Sequence, residues 1–363
     1  MDTFAFVIHP IDPKRDVSRK FPFLGKILNE KQINFFSTFF PPVFISQIEG
    51  IRSNATGKEV KGWFVACPYT PTRMLELPER TVYRKITQTG RMAEKLGAKI
   101  LGLGAFTSVV GDAGMTIANN LNVPVTTGDS YTVAIAVRAV EKAAAEMCIP
   151  LESASAAVVG ATGAIGKVCA MLLSKKVAHL YLVGRDQEKT EQVARTIAAE
   201  HPAAQLHPGT NLDVLKRAKL ILTVTSATRT IIQPEHLLPG SVVCDVSRPR
   251  DVSVQVSKTR KDILVIDGGV VDVPGPVNFN FDFGFPPGKA YACMAETIAL
   301  ALEGRFEDYT VGKNISRQQV QDIDTIATKH GFILSGFRSF EKTITAEHIE
   351  STWLRAQAVL QSA

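Results

Sequence analysis

One eleven-residue segment constrains the fold more than any other part of this 363-residue chain. Residues 156–166 read AAVVGATGAIG, an apolar run that passes through three glycines directly into a stretch of helical character. The spacing is G-x-x-G-x-x-G, with the first glycine one place earlier than in the common G-x-G-x-x-G pattern. Such glycines permit a tight turn, a close approach of phosphate to the backbone, and close packing of the next helix. The segment therefore predicts a nucleotide-binding strand, turn and helix.

Apolar strands and helices alternate along the chain after this segment. The predicted strands are nearly continuous in apolar character, as expected of strands covered on both faces of a parallel sheet. They cover residues 156–159, 180–183, 220–224, 242–245 and 264–266. The pattern predicts an α/β fold with a Rossmann-type doubly wound parallel sheet.

Three segments are predicted around this sheet. Residues 1–130 form an N-terminal α/β substrate domain, and residues 131–310 form the Rossmann domain with a linker helix and a helix that begins near Cys293. Residues 311–363 form a C-terminal helical segment. A chain of this length is long enough for two domains, each with a core of its own.

The cofactor-binding residues are predicted from the carboxyl ends of the strands, where the ligand of a Rossmann sheet lies. They are Gly160, Ala161, Thr162, Gly163, Ala164, Ile165, Gly166, Arg185, Thr225, Ser226, Ala227, Gly268 and Gly269. Arg185 ends the second strand where an NAD enzyme usually carries an acidic residue, and with Lys189 it would pair with a 2′-phosphate. We therefore predict NADPH, and the alternative interpretation uses Asp186 to hold the ribose of NAD.

Composition excludes several other classes of protein. Apolar residues make up 45% and charged residues 21%, and no apolar run is long enough for a membrane span. The five cysteines form no C-x-x-C pair, so we predict no metal site and expect a reducing cytoplasm. The formal charge of +6 is scattered, which gives no indication of nucleic-acid binding.

Cys293 is the candidate nucleophile. It stands near the start of an apolar helix, beyond the Pro-Pro-Gly at 286–288. The unpaired amides of a helix start can stabilise a thiolate, which is the reactive form of a cysteine. A cysteine among alanines is also an ordinary small core residue, so these residues alone leave both interpretations open.

Four segments together resemble the long-chain acyl-[acyl-carrier-protein] reductases: GAFTS at 104–108, TTGDSYT at 126–132, the glycine turn at 159–166, and YACMAE at 291–296 with LEG at 302–304. The likeness keeps the same order from residue 16 to residue 332. It implies an NADPH-dependent enzyme that reduces a fatty acyl thioester to a fatty aldehyde. In that family the residue matching Cys293 attacks the thioester, and an acidic acyl carrier protein presents the substrate.

The resemblance also has departures. Residues 245–250, residues 273–285 and the tail beyond residue 332 do not match the family pattern. Two other functions stay open beside it. One is a shikimate-type NADP-dependent alcohol dehydrogenase, which needs no cysteine, and the other is an NADP-binding sensor without catalysis.

Substrate contacts are expected near the thiol. We expect the hydrogen-bond donors to the oxyanion to be amides of the helix start or groups of two loops. These loops hold Phe106, Thr107, Ser108, Thr127 and Ser130. The phenylalanine-rich residues 35–44 are either core or a lining for the acyl chain, with core packing favoured. A basic helix at 81–96, with Arg80, Arg84, Lys85 and Arg91, is either a solvated face or the dock of the carrier protein.

Overall fold

The structure is a computed structural model that describes residues 1–362. The strands are β1 Asp2–Ile8, β2 Val43–Arg52, β3 Glu59–Ala66, β4 Leu101–Leu103, β5 Val125–Thr126, β6 Ser155–Val159, β7 His179–Val183, β8 Gln205–Gly209, β9 Leu220–Thr223, β10 Val242–Asp245, β11 Leu264–Asp267, β12 Val270–Asp272, β13 Lys289–Tyr291, β14 Ile333–Leu334, β15 Arg338–Ser339 and β16 Lys342–Thr343. The helices are α1 Pro13–Lys20, α2 Pro22–Ile27, α3 Glu30–Ser37, α4 Pro71–Glu76, α5 Glu79–Lys95, α6 Phe106–Val109, α7 Met115–Ala118, α8 Asp129–Glu146, α9 Ala164–Leu173, α10 Gln187–Glu200, α11 Val254–Thr259, α12 Ala292–Glu303, α13 Arg317–His330 and α14 Ala346–Gln361.

The chain divides into two compact units. Unit 1 contains residues 1–131 and 271–333, and unit 2 contains residues 132–270 and 334–363. This division differs from the predicted boundaries, because the chain returns to unit 1 after residue 270 and brings α12 with it. The helix of Cys293 therefore belongs to the unit that also contains the N-terminal sheet.

The sheet of unit 1 has the order β2-β3-β1-β4-β5, in which only β2 is antiparallel to its neighbour. Successive side chains of β1 point to opposite faces. Ala5 and Val7 pack in the cluster that contains Val82 and Ile86 of α5. Helix α12 lies close to Gly102 of β4, where a Cβ would be 2.1 Å from the Thr297 hydroxyl oxygen. The carboxyl ends of β1, β3, β4 and β5 meet at one edge, which we call the unit 1 edge.

The sheet of unit 2 is parallel throughout, with the order β11-β10-β9-β6-β7-β8. All five predicted strands are present, as β6, β7, β9, β10 and β11. The chain reverses its direction across the sheet between β6 and β9, which is where a doubly wound sheet leaves a crevice for ligands. The sixth strand, β8, is an edge strand that carries Pro208 and has no buried residue, so hydrophobic periodicity did not reveal it.

These two sheets confirm the predicted α/β fold. The predicted helix at 81–96, the linker helix and the helix at 290–303 correspond to α5, α8 and α12. The C-terminal segment contains α13 and α14 and also a hairpin of β15 and β16, which the prediction of a helical tail did not include. Among residues 1–362, no helix has the length and apolar character that crossing a membrane requires.

Candidate active site

Cys293 is the second residue of α12, and its position follows from how that helix begins. Tyr291 is the N-cap residue and makes no side-chain hydrogen bond to the helix. Ala292, Met294 and Ala295 are buried, whereas Cys293 is half-buried. The structure therefore places the thiol in the first turn, at the accessible side of an otherwise buried helix.

The loop after β5 lies directly against Cys293. Gly128 has a φ of +77°, and a Cβ there would be 2.3 Å from the Cys293 Cα. Both the left-handed backbone and the close approach require glycine at this position. Residues 126–130 are thus held beside the nucleophile candidate, and with Cys293 and Glu296 they make up what we call the thiol site.

Glu296 connects this loop to α12. Its side chain is fully buried and accepts hydrogen bonds from the Thr126 hydroxyl at 2.5 Å and the Tyr131 N–H at 2.8 Å. The Thr310 hydroxyl also lies 2.8 Å from the same carboxylate. A buried carboxylate needs such partners to remain in the fold. Glu296 lies about one helical turn after Cys293 and therefore holds the loop in place beside it. Apart from its place in the YACMAE segment, no local pattern indicated this role.

Asp129 adds a second buried carboxyl to the thiol site. Burial raises its pKa to about 7, and the nearby charge of Glu296 contributes to the same shift. A carboxyl with this pKa exists in both protonation states near neutral pH, as a general acid or base requires. Sequence reasoning missed Asp129, because one aspartate at a strand end resembles an ordinary loop residue.

The protonation state of Cys293 differs from the sequence-based expectation. The helix start was expected to favour the thiolate, but burial, together with the charges of Asp129 and Glu296, raises the pKa of Cys293 to about 12. Desolvation and two adjacent carboxylates outweigh the helix dipole, which acts only over the first turn. In this structure the sulfur is a thiol at neutral pH and needs a base to become nucleophilic.

The loop after β4 completes the unit 1 edge. Ala105 has a φ of +48°, and the Phe106 N–H donates to the His9 Nε2 at 3.0 Å. Burial lowers the pKa of His9 to about 4, so its ring is neutral and can accept this bond. Phe106, Thr107 and Ser108 are all buried. The loop is therefore fixed to the end of β1.

The residues predicted to contact the substrate already have partners in the protein. The hydroxyls of Thr107 and Ser108 donate to the carbonyls of Gly104 and Ala105 at 2.7 and 2.6 Å. The Thr127 N–H donates to the Thr310 carbonyl at 2.8 Å, and the Thr310 hydroxyl donates to Ser130 Oγ at 2.8 Å. The structure brings these residues to the unit 1 edge, and their role as oxyanion donors stays a prediction.

In unit 2, the glycine turn has the geometry of a phosphate-binding loop. Gly160 has a φ of +88°, and a Cβ there would be 2.2 Å from the Val224 carbonyl oxygen. A Cβ at Gly166 would be 2.2 Å from the Gly160 carbonyl oxygen, so this glycine allows α9 to pack closely. A Cβ at Gly163 would be 3.3 Å from the same carbonyl oxygen, and Gly163 is the N-cap of α9, where no side chain caps the helix. The turn therefore has the close backbone packing and the uncapped helix start that are typical of phosphate-binding loops.

The loop after β7 contains the residues on which the two interpretations of cofactor choice depend, Arg185 and Asp186. Asp186 is the N-cap of α10, where its side chain accepts from the Lys189 N–H at 3.1 Å and pairs with the Lys189 Nζ at 3.2 Å. Arg185 is exposed and forms no hydrogen bond or ion pair within residues 1–362. Asp186 and Lys189 are thus occupied with each other, whereas the guanidinium of Arg185 is available.

The other predicted cofactor loops are held in place by bonds to buried aspartates. Asp251 is fully buried and accepts from the hydroxyls of Thr223 and Thr225 at 2.5 and 2.6 Å. The Ala227 N–H in turn donates to Thr225 Oγ1 at 3.1 Å, while Ser226 is exposed. This network fixes the shape of the loop after β9.

The loop after β10 begins at a buried aspartate and contacts the end of β11. Asp245 is fully buried, which raises its pKa to about 6. Arg250 pairs through both terminal nitrogens with Asp267, just before Gly268 and Gly269. Within residues 1–362, no group of three or more His, Cys, Asp or Glu side chains is arranged to hold a metal ion.

Several known proteins are similar to this chain, over part of it or over most of it. Residues 141–267 match the family of shikimate/quinate 5-dehydrogenases. The long-chain acyl-[acyl-carrier-protein] reductase of Synechococcus elongatus is 28% identical over 340 residues, covering 89% of this chain and 95% of that protein. The aminotransferase PigE of a Serratia species is 32% identical over 300 residues, or 82% of this chain. The chain spans about a third (35%) of the length of PigE.

Solved structures with some similarity include two dehydrogenases. L-tryptophan dehydrogenase from Nostoc punctiforme is 12% identical with a TM-score of 0.42, covering 100% of this chain and 89% of that one. Quinate dehydrogenase from Corynebacterium glutamicum is 12% identical with a TM-score of 0.37, covering 98% and 99%. The sequence similarities to a reductase and to a dehydrogenase family support an NAD(P)-dependent oxidoreductase.

Proposed function

We propose that the protein reduces a long-chain fatty acyl thioester to the fatty aldehyde through a covalent thioester on Cys293, with NADPH as the reductant. The observation that carries the proposal is the thiol site. A half-buried thiol lies in the first turn of α12, and a buried carboxyl with a pKa of about 7 stands in the loop packed against it. The similarity to the acyl-[acyl-carrier-protein] reductase over 89% of the chain supports the choice of substrate class.

Asp129 supplies the base that the thiol requires. With pKa values of about 12 and about 7, full proton transfer from Cys293 to Asp129 would populate the thiolate to a fraction on the order of 10⁻⁵. Such a fraction is too small for a preformed thiolate. The carboxylate therefore takes the proton as the sulfur attacks, which is general-base catalysis of the addition.

The covalent step then proceeds in two stages. A bond forms between Cys293 Sγ and the carbonyl carbon, and the carbonyl electron pair moves to the oxygen. When that pair returns, the bond to the carrier or CoA sulfur breaks, and the departing thiolate takes up a proton. The acyl group is left on Cys293, which divides one difficult reduction into two simpler steps.

NADPH supplies a hydride to the acyl carbon when it is bound. Arg185 would hold its 2′-phosphate, and Gly160, Gly163 and Gly166 would accommodate its pyrophosphate. Cys293 then leaves the reduced carbon as the aldehyde forms, and Asp129 returns the proton to the sulfur. The reaction consumes one acyl thioester, one NADPH and one proton, and it yields one aldehyde, one free thiol and one NADP⁺.

Three aromatic side chains near the thiol support the choice of a long acyl chain as substrate. We call them the aromatic row; they are Phe283, Phe285 and Tyr291. Phe285 contacts the Tyr291 ring with centroids 4.4 Å apart, and Phe283 contacts Phe285 at 5.4 Å. Phe283, Phe285 and Tyr291 are half-buried, and Tyr291 is the N-cap of the helix that holds Cys293. Apolar rings left partly open beside a nucleophile suit an alkyl chain.

The carrier protein would dock on the outer face of α5. Arg80, Arg84 and Arg91 are exposed and form no ion pair within residues 1–362. Lys85 is less available, because its Nζ donates to the Phe40 carbonyl at 2.8 Å. Unpaired guanidiniums on one helix face attract an acidic partner at long range.

Mass spectrometry of the intact protein tests the proposal. The full chain is incubated with a long-chain acyl-CoA and without NADPH, and the adduct is mapped. We expect one acyl group on Cys293, no adduct on Cys293→Ser and an unchanged adduct on Cys148→Ser, which removes an exposed thiol elsewhere. No adduct, or an adduct on another cysteine, would refute the covalent route.

The match of residues 141–267 favours a second candidate function, a shikimate-type alcohol dehydrogenase. Direct hydride transfer to a carbonyl needs no thiol. If Cys293→Ser retained dehydrogenase activity on a hydroxy acid and the wild type formed no acyl adduct, this second function would replace the first.

A further inference from the structure

Residues 13–40 of unit 1 expose their apolar side chains instead of burying them. The segment forms α1, α2 and α3, whose buried residues are only Gly25, Ile33 and Ser37. Phe23 is 72% exposed and Phe39 is 70% exposed. We call this surface the aromatic face; it consists of Phe23, Ile27, Phe35, Phe36, Phe39 and Phe40. The expectation that residues 35–44 pack in a core is therefore wrong for its phenylalanines.

The local structure of this segment is nevertheless strongly encoded. Asp12 caps α1, and Asn29 and Gln32 form a capping box at the start of α3. Phe35 contacts both Phe36 and Phe39, with ring centroids 5.4 and 5.7 Å apart. Helices of six to eight residues are marginal by themselves and usually depend on burial of an apolar face. Since the chain covers little of this face, its exposed aromatic side chains indicate an interaction surface.

The charges around the face limit the kind of partner. Residues 12–31 contain six Lys or Arg and three Asp or Glu. The acidic residues Asp12 and Asp16 pair with Arg15 and Arg19. The side chains of Lys26 and Lys31 are exposed and form no hydrogen bond or ion pair within residues 1–362. The aromatic face is therefore bordered by unpaired positive charge.

From this combination we infer that the aromatic face docks on an anionic lipid surface. Phenylalanines enter the boundary between headgroups and acyl chains, while lysines at the border remain among the anionic headgroups. Protein interfaces are instead depleted of lysine relative to the rest of the protein surface, so a second copy of the chain fits less well. An acidic carrier protein would match the lysines but not six exposed apolar side chains.

The location of the face is consistent with a lipid-soluble substrate. Helix α1 follows β1, so the segment leaves from the unit 1 edge. Arg19 of α1 lies against Gly284, where a Cβ would be 2.7 Å from the guanidinium. Gly284 stands between Phe283 and Phe285 of the aromatic row. The segment that carries the face thus contacts the loop that carries the row, although the docking inference rests on the exposed surface and not on the proposed reaction.

Vesicle flotation tests the inference with the full chain and with neither thioester nor cofactor present. Vesicles of phosphatidylglycerol and phosphatidylcholine are compared with pure phosphatidylcholine. We expect the protein to float with the anionic vesicles, and the double variant Phe23→Ser, Phe39→Ser to lower its partition coefficient at least tenfold. Lys26→Glu with Lys31→Glu should weaken binding to the anionic vesicles more than to the neutral ones.

Leu354→Ser is the matched control, because Leu354 is also an exposed apolar residue but lies on α14 of unit 2. It should leave the partition coefficient unchanged. Phe39→Trp gives a second readout, since its emission should shift to the blue on anionic vesicles even if the double variant folds poorly. Absence of flotation and of this shift would overturn the inference. So would dimerisation of the wild type that Phe23→Ser, Phe39→Ser abolishes without any vesicle binding.

Discussion

The thiol site and the glycine turn stand at the carboxyl ends of parallel strands in two different sheets, yet they are built in different ways. The glycine turn is contiguous in sequence, and its function depends on the backbone of residues 160–166. The thiol site joins residues 126–130 to Cys293 and Glu296, which are more than 160 positions further along the chain. One site is encoded locally and the other by tertiary packing.

This difference determines how each site can fail. In the turn, glycine is needed because carbonyl oxygens occupy the space of a Cβ. In the thiol site, the proposed reaction depends on how two carboxyl groups affect the pKa of the thiol and of one another. Substitutions in unit 2 should therefore act on cofactor affinity, and substitutions in the thiol site should act on the covalent step.

The largest expected effect is at Cys293. Cys293→Ser should lower aldehyde formation by a factor on the order of 10³ or more, because a serine hydroxyl is a far weaker nucleophile without a dedicated strong base. Its affinity for NADPH, measured by cofactor fluorescence, should match that of the wild type. A parallel loss of cofactor affinity would show that the two sites are not separable in this way.

Asp129→Asn should slow acylation by about 10²-fold to 10³-fold, since general-base assistance is lost. In the wild type the acylation rate should rise with pH through about 7, and the variant should lose this step. Single-turnover kinetics across pH 5 to 9 measures both. An unchanged pH profile in the variant would remove Asp129 from the mechanism.

Although Asp129→Asn should slow acylation, it should increase the stability of the folded protein at pH 8. Burial raises the pKa of Asp129 in the folded protein, so the folded state holds its proton more tightly than the unfolded chain does. Stability is then lost as pH rises from the ordinary carboxyl value of about 4 towards 7. Asp129→Asn should raise the Tm at pH 8 and leave it nearly unchanged at pH 4, as differential scanning fluorimetry can measure.

Arg185→Ala tests cofactor choice in unit 2. Loss of a charge-assisted pair with the 2′-phosphate should weaken NADPH binding by about 10-fold to 100-fold, with little effect on NADH. Lys175→Ala removes another exposed cation of unit 2 and is the control. Equal losses for both cofactors would show that Arg185 does not recognise the 2′-phosphate.

The smallest effect is expected on α5. Charge reversal at Arg84 and Arg91 should raise KM for a carrier-bound substrate several-fold, with a smaller change for acyl-CoA and a strong dependence on salt. Lys175→Glu provides a matched reversal in unit 2. Equal changes of KM for both substrates would contradict carrier docking on this helix.

The fold of unit 2 could be predicted because its signals are local. Five strands were visible as apolar runs, and the glycines marked the turn. The strand β8 was missed because it is an exposed edge that carries proline, so it lacks the burial that makes strands visible. The buried state of Asp245 and Asp251 also had no local signal, since a loop sequence does not show whether its carboxyl groups find hydrogen-bond donors.

The thiol site could be predicted only in part. The position of Cys293 at a helix start followed from sequence, but its raised pKa results from burial and then from Asp129, which is distant in sequence and near in the fold. The return of the chain to unit 1 at residue 271 could not be predicted either, because the local sequence of α12 does not indicate on which sheet the helix packs. Long-range contacts of this kind require the structure.

The division of the chain has a consequence for the order of assembly during synthesis. Residues 132–270 leave the ribosome as one stretch, and the parallel sheet of unit 2 can begin to form while unit 1 is still without α12. The carboxylate of Asp129 and the sulfur of Cys293 meet only after the ribosome has passed residue 293. A nascent chain that stalls before this point would contain the cofactor loop but no competent nucleophile, so a truncated product would bind nucleotide without consuming thioester.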